Sequence, residues 1–173
     1  MRSRSKIRFG PGTQGIAPHT LEPLRSALDG CEAVTAVLSS DIELDLWRKF
    51  VMLASFSAVS CMARATIGQV LGDARARALL VAAAEEAAAV GRARGVPLES
   101  DVAALVDEHT RDMPREGRPS MFEDLEAGRR LELEFLSGTV VRLGAAQGVP
   151  TPIHALALAA LGMHVDGRTA NAS

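Results

Sequence analysis

Aromatic side chains are scarce in this sequence of 173 residues, which has no tyrosine, one tryptophan and only 3% aromatic residues in all. Alanine, leucine and valine supply much of the 47% hydrophobic content, a composition typical of closely packed helices rather than of a β-sandwich. Charged residues make up 23%, so the composition argues against disorder. The length predicts one domain of average size with a proper core.

An excess of charge is also missing, since the formal net charge is -2. The sequence therefore gives no electrostatic reason to expect nucleic acid or an anionic membrane as a partner. The N-terminus lacks the apolar segment of a secretory signal. The most apolar stretch, residues 50–62, is interrupted by serines and is too short to span a bilayer. We expect a cytoplasmic protein that binds neither nucleic acid nor membrane.

Metal-binding and redox motifs are absent as well. The two cysteines, Cys31 and Cys61, lie far apart and lack the paired spacing of a zinc or dithiol site. Cys61 belongs to an apolar helical run, which indicates a small core residue rather than a nucleophile. The four histidines show no ligand spacing. The sequence predicts no metal site.

The pattern along the chain changes near residue 40. Before it, an alternating strand, a helix and a second short strand are predicted at 6–9, 20–28 and 33–38. This is too little for a nucleotide-binding sheet and is typical of the end of a larger domain. After it the pattern is helical, with Ser40 or Asp41 and Thr151 as candidate N-caps. Helices are predicted at 40–64, 73–94, 99–112, 121–127, 132–147 and 151–164, with a surface loop at 113–119.

The first long helix carries a narrow polar face on an apolar body. At 100° per residue, Lys49, Ser57, Ser60 and Arg64 fall within an arc of roughly 80°. Two interpretations are open: a solvent-facing stripe from which Lys49 extends outward, or a cleft that Lys49 lines. The other chemically rich segment, residues 119–134, mixes acids and bases as solvated helix surfaces commonly do.

Three motifs in a fixed order carry a family resemblance. Trp47-Arg48-Lys49 is similar to a W-x-K motif, and residues 120–132 are similar to an S-M-x-x-D-x-x-x-G-R-x-x-E segment. Residues 148–152, Gly-Val-Pro-Thr-Pro, resemble a G-V-x-T-P segment that begins a final helix. From about Ser40 to His164 the chain thus resembles the C-terminal domain of the ketopantoate reductase (2-dehydropantoate 2-reductase) family.

The resemblance implies a mainly α fold. It is a helical bundle of the 6-phosphogluconate-dehydrogenase C-terminal-like type, with a short α/β remnant at its N-terminus. Residues 1–40 would be the end of a nucleotide-binding domain and its connection. Residues 41–167 would form the helical substrate domain, and residues 168–173 a frayed tail.

The resemblance also implies roles for four side chains. Lys49 matches the general acid that protonates the carbonyl oxygen, and Glu132 matches the acid that holds the substrate hydroxyl near that lysine. Ser120 matches a substrate-binding serine, whereas Asp124 is expected to be structural. Ser57 and Leu53 stand where the family commonly has asparagine, and only Ser57 can keep a hydrogen bond. Because a lost polar anchor costs about 1–3 kcal/mol, ketopantoate is expected to bind less tightly here than where the asparagine is kept, and other 2-oxo acids are open as substrates.

The cofactor site of such a reductase is not found in the sequence. No G-x-G-x-x-G follows a strand, so NADP is implied for the complete enzyme but is not expected to bind this chain alone. Three hypotheses follow. In the first, the chain is the substrate half of a reductase that reduces a small 2-oxo acid and needs a Rossmann-domain partner. In the second, it is a non-redox enzyme with Lys49 and Glu132 as acid and base. In the third, it is a non-catalytic module that forms a homodimer or binds a partner.

Overall fold

The computed structural model describes residues 5–12 and 16–167. The chain divides into two compact units, Met1–Trp47 and Arg48–Ser173. This division falls later than the boundary at residue 40 that the sequence pattern predicts.

The N-terminal unit is a strand, a helix and a second strand, as the sequence predicts. Strand β1 (Ser5–Phe9) pairs in parallel with β2 (Val34–Leu38). Between them a 3-10 helix (Pro18–Leu21) leads into α1 (Glu22–Asp29). Of the described side chains in this unit only Ser39 is buried, so the unit encloses no apolar core of its own.

The rest of the chain is helical, which confirms the mainly α class. Its elements are α2 (Ile42–Ala63), α3 (Ile67–Gly72), α4 (Ala74–Ala93), α5 (Val102–Thr110), α6 (Ser120–Ala127), α7 (Ser137–Gln147), α8 (Pro152–Leu161) and a 3-10 helix (Gly162–His164). Helix α4 is central because it packs against α3, α5, α7 and α8. Beside Leu80 and Val90, its buried face holds small residues that let neighbouring helices approach closely: Ala83, Ala84, Ala87, Ala88 and Gly91.

Of the predicted N-caps, Asp41 is confirmed and Thr151 is wrong. Asp41 accepts the N–H of Leu44. Asp73, predicted only as the start of the second helix, also acts as its cap, because its carboxylate accepts the N–H groups of Arg75 and Ala76. Thr151 precedes α8 but makes no capping hydrogen bond. Its side chain is buried and would lie 2.8 Å from a Cβ on Gly144, so it packs against α7 instead.

Helix α3 is absent from the predicted elements. Thr66 accepts the N–H of Gln69, and the Gln69 side chain accepts the N–H of Thr66. This reciprocal pair is a capping box, which satisfies two of the amide groups that a helix start leaves unpaired. The Thr-x-x-Gln spacing that signals it is present in the sequence.

Helix α7 begins at Ser137 rather than at the predicted Glu132. Leu131 and Leu133 are both buried, and residues two apart point in nearly opposite directions on a helix. A non-helical backbone buries both, and the N–H of Leu131 donates to the carbonyl of Val165. Packing of this segment against the C-terminal turn therefore overrides its helical pattern.

Helix α2 is the longest and most apolar element. By length and hydropathy alone its 22 residues meet the criteria of a membrane span. Val51, Met52 and residues 54–61 are nevertheless buried by the other helices, as in the core helix of a folded domain. Cys61 is 1% exposed, which confirms the predicted core residue, and burial raises the pKa of its thiol to about 12.

Candidate functional site

Lys49 lies exposed on the N-terminal half of α2. Its neighbour Arg48 forms an ion pair with Glu99, whereas Lys49 makes no ion pair with any described residue. Leu53 follows one helical turn later and is 38% exposed, which is unusual for a leucine on a core helix. The ammonium group is therefore accessible and is flanked by uncovered apolar surface.

The polar face of α2 does not remain in solvent along its length. Ser57 is 1% exposed, and Ser60 is fully buried. The hydroxyl of Ser60 donates to the carbonyl of Ala65 at 2.8 Å, where it stabilises the turn after the helix. The hydroxyl of Ser57 is buried without a hydrogen-bond partner among the described residues. Neither a continuous solvent-facing stripe nor a continuous cleft lining describes this face.

Ser120 and Glu132 lie at the two ends of the predicted motif. Ser120 is the first residue of α6 and is exposed. Glu132 is exposed in the turn before α7, and its carbonyl accepts the N–H groups of Phe135 and Leu136. No ion pair within 4.0 Å joins Glu132 to Lys49, so the structure does not bring these two side chains into direct contact. Their meeting at one groove remains a prediction.

Asp124 has the structural role that the motif implies. Its Oδ1 accepts a hydrogen bond from Nε of Arg129 at 2.7 Å. The intervening Gly128 adopts a φ of 67°, in the left-handed region that favours glycine, and ends α6. This ion pair therefore closes the turn that follows α6.

A buried polar cluster between α4, α7 and α8 escaped the sequence analysis. The His154 side chain is fully buried, with Nε2 3.1 Å from the Ala83 carbonyl and Nδ1 3.1 Å from Ser137 Oγ. Because a carbonyl can only accept, Nε2 carries the proton and Nδ1 accepts from the serine hydroxyl. Burial lowers the pKa of His154, and the bond to Ala83 opposes that shift only partly.

Glu86 belongs to the same cluster and takes the role predicted for Thr151. Its carboxylate accepts the N–H groups of Ile153 at 2.8 Å and of His154 at 3.1 Å. These groups lie in the first turn of α8, which lacks partners for them within the helix. Burial raises the pKa of Glu86, while the two N–H donors act in the opposite direction. In the sequence Glu86 is visible only as an acidic residue on an alanine-rich helix, and this pattern does not predict a partner 67 residues away.

The described residues show no cluster of metal-ligating side chains, and the turn after β1 is shaped by backbone packing. No group of three histidine, cysteine or acidic side chains converges within residues 5–12 and 16–167. A pyrophosphate cradle needs a glycine-rich turn between a strand and a helix start. Strand β1 is followed by Gly10, where an added Cβ would lie 2.7 Å from the Ser39 carbonyl. That glycine is therefore needed for close packing of the two backbone segments.

Comparisons with known proteins point in one direction. The family model for the C-terminal part of ketopantoate reductases (PanE/ApbA) matches residues 41–164. The chain is 32% identical to the 2-dehydropantoate 2-reductase of Archaeoglobus fulgidus over 81% of its length and 45% of that protein. It is 31% identical to the enzyme of the same name from Caulobacter vibrioides over 90% of its length and 50% of that protein.

A solved structure of a ketopantoate reductase has the same fold over most of this chain. The PanE/ApbA family ketopantoate reductase from Ralstonia eutropha JMP134 superimposes with a TM-score of 0.77 at 27% identity, over 94% of this chain and 52% of that one. The chain thus spans about half the length of the curated relatives it matches.

Proposed function

Because this chain belongs to the ketopantoate reductase family, to its C-terminal domain, we propose that it is the substrate-binding and catalytic half of a cytoplasmic reductase. The reaction class is reduction of a small 2-oxo acid to a 2-hydroxy acid. The observation that carries the proposal is the position of Lys49 in the matched segment, where its ammonium group is exposed and unpaired among the described residues.

Lys49 would act on the oxygen of the substrate carbonyl. Negative charge develops on that oxygen as the carbon is reduced, and a nearby ammonium group stabilises it and then supplies a proton. Such stabilisation is stronger where water is excluded. The uncovered surface of Leu53, one turn away, supports a binding partner that covers this face during the reaction.

The remaining assignments concern substrate recognition. Glu132 would accept a hydrogen bond from a substrate hydroxyl, and Ser120 would bind the substrate from the start of α6. Both side chains are exposed and available for these contacts. Ser57 is the weakest assignment because its hydroxyl is buried, so contact with a ligand requires local opening of α2.

The hydride donor would be a nicotinamide dinucleotide, NADP by the family resemblance, held by residues other than those described. A dinucleotide-binding domain, in the same polypeptide or on a partner chain, would supply that site. The described chain alone would bind the 2-oxo acid without reducing it.

A binding experiment tests the role of Lys49 without any cofactor. Lys49 and Lys6 are the only lysines in the sequence, and both are exposed, so Lys6→Ala is a matched control. Titration of the 173-residue chain with 2-dehydropantoate, followed by NMR, should show binding that Lys49→Ala weakens about tenfold and Lys6→Ala leaves unchanged. Equal affinities in the two variants would remove Lys49 from the site.

A pair of substrates tests Glu132. The 2-oxo acid 2-dehydropantoate has a hydroxyl group, and 2-oxoisovalerate lacks it. Glu132→Gln should weaken binding of the first by about tenfold and leave the second unaffected. Equal losses for both acids would contradict the assignment. Turnover of either acid without a nicotinamide would instead favour a non-redox enzyme with Lys49 and Glu132 as acid and base.

A further inference from the structure

A cavity lies at the opposite end of α2 from Lys49. Its volume is about 390 Å³, and it is lined by Arg64, Leu125, Glu126, Gly128, Arg129, His164 and Gly167. Arg64 follows Lys49 by fifteen residues, or about 22 Å along a helix that rises 1.5 Å per residue. The cavity is therefore separate from the proposed catalytic lysine.

The backbone of Arg64 is the first indication that this cavity has a function. Arg64 has a φ of 53°, and it is the only non-glycine residue with positive φ in the part of the chain that the structure describes. Helices α4, α6 and α7 are instead followed by Gly95, Gly128 and Gly148 in this conformation. A side chain in the left-handed region costs roughly 1–2 kcal/mol. Where the backbone retains such strain, the side chain is a candidate for function.

The turn that holds Arg64 is well defined. The N–H of Ala65 donates to the carbonyl of Ser60 at 3.2 Å, and the Ser60 hydroxyl donates back to the Ala65 carbonyl at 2.8 Å. The first bond is the outer hydrogen bond of a Schellman motif. These contacts fix the direction in which the Arg64 side chain leaves the helix.

The cationic groups around the cavity are only partly neutralised. Arg64 has no ion-pair partner among the described side chains. Arg129 is held by Asp124 through Nε, which leaves its two terminal nitrogens for another acceptor. The acid in the lining, Glu126, is bound by Arg118 at 2.8 Å. His164 adds an imidazole on the same lining.

We propose that this cavity binds a small tetrahedral oxyanion of the phosphate class. Two guanidinium groups and an imidazole provide several N–H donors, and guanidinium forks match phosphate oxygens in pairs. The site stands apart from the 2-oxo acid site and does not depend on the proposed reductase function.

Calorimetric titration of the 173-residue chain with inorganic phosphate tests the site. We expect a dissociation constant on the order of 1 mM for the unmodified chain. Arg64→Gly should weaken binding at least tenfold. The same change should leave the melting temperature equal or higher, because glycine adopts this backbone conformation without strain. Loss of binding in this variant therefore cannot be attributed to unfolding.

Two controls complete the experiment. Arg94→Gly removes an exposed arginine from the end of α4, outside the cavity, and should bind phosphate like the unmodified chain. Lys49→Ala should do the same, so failure of the catalytic assignment and failure of this site are separable. The proposal is overturned if no phosphate binds at about 10 mM. It is also overturned if Arg64→Gly retains full affinity, or if succinate binds more tightly than phosphate.

Discussion

The two units of this chain differ in what they bury. In the helical unit every α-helix contributes buried apolar side chains to one core, from Val51 in α2 to Leu161 in α8. In the N-terminal unit no described apolar side chain is buried, and helix α1 contains no buried residue of any kind. Ordering a residue costs about 1–2 kcal/mol of backbone entropy, which burial must offset. The helical unit meets this requirement through its core, whereas the described side chains of the N-terminal unit bury little apolar surface.

The largest test of this contrast is a pair of leucine truncations. Leu80 in α4 is 0% exposed, and Leu24 in α1 is 48% exposed. Leu80→Ala should lower the free energy of unfolding by about 2–5 kcal/mol, because it leaves a cavity in the core. Leu24→Ala should change it by no more than about 0.5 kcal/mol. Urea denaturation measures both, and similar losses would show that α1 belongs to a core after all.

A second pair of variants tests the polar cluster inside the helical unit. Glu86→Ala removes the carboxylate that caps α8 and should cost about 1–2 kcal/mol, because two amide groups lose their partner. The adjacent Glu85 is exposed and pairs with Arg92 on the surface. Glu85→Ala should cost less than about 1 kcal/mol. If the melting temperature of Glu85→Ala is lower than that of Glu86→Ala, the capping assignment is wrong.

The stability of the helical unit should also depend on pH through His154. Its pKa in the folded protein lies below the ordinary value of 6.5, so the unfolded chain binds more protons as the pH falls through 6.5. Stability is therefore present above that pH and decreases below it, toward the folded pKa. The contribution of Glu86 to the pH dependence of stability has the opposite sign and occurs at lower pH, because its raised pKa favours proton uptake by the folded state.

The measurement is chemical denaturation at several values between about pH 5.5 and 8. His154→Gln should flatten the dependence near pH 6.5. His164→Gln, at the exposed C-terminal turn, is the control for loss of an imidazole outside the buried cluster. A slope that survives His154→Gln would assign the titration to another group.

The smallest expected effect concerns an exposed leucine in each unit. Leu53 occupies a position where the family commonly has asparagine, so Leu53→Asn should strengthen binding of 2-dehydropantoate about fivefold by adding one hydrogen bond. Leu24→Asn introduces the same side chain in the N-terminal unit and should have no effect. NMR titration compares the two, and unchanged affinity in Leu53→Asn would separate this helix face from the substrate site.

Local signals predicted most elements correctly. The strands, α1, α2 and α4 follow from periodicity and, for α2, from the cap at Asp41, since these signals act within one turn of the chain. The capping box of α3 was also readable at Thr66 and Gln69. The late start of α7 could not be predicted from local signals, because burial of Leu131 and Leu133 depends on the distant turn at Val165.

The candidate site divides in the same way. The motif around Lys49 and the structural role of Asp124 were readable, because each depends on residues close in sequence. The burial of Ser57 could not be predicted, since the part of α2 that follows Lys49 packs its polar face against the other helices. The cavity around Arg64 was missed because its lining comes from three separate segments of the chain.

By itself, the amino-acid sequence determined the helical class, the family and the position of one accessible lysine, because composition, periodicity and short motifs are properties of neighbouring residues. Only the tertiary structure decided that Glu86 caps α8, that His154 is a buried neutral imidazole and that Arg64 and Arg129 border one cavity. These features arise from contacts between helices far apart in the chain, and the free energy of burial, not local propensity, selects them.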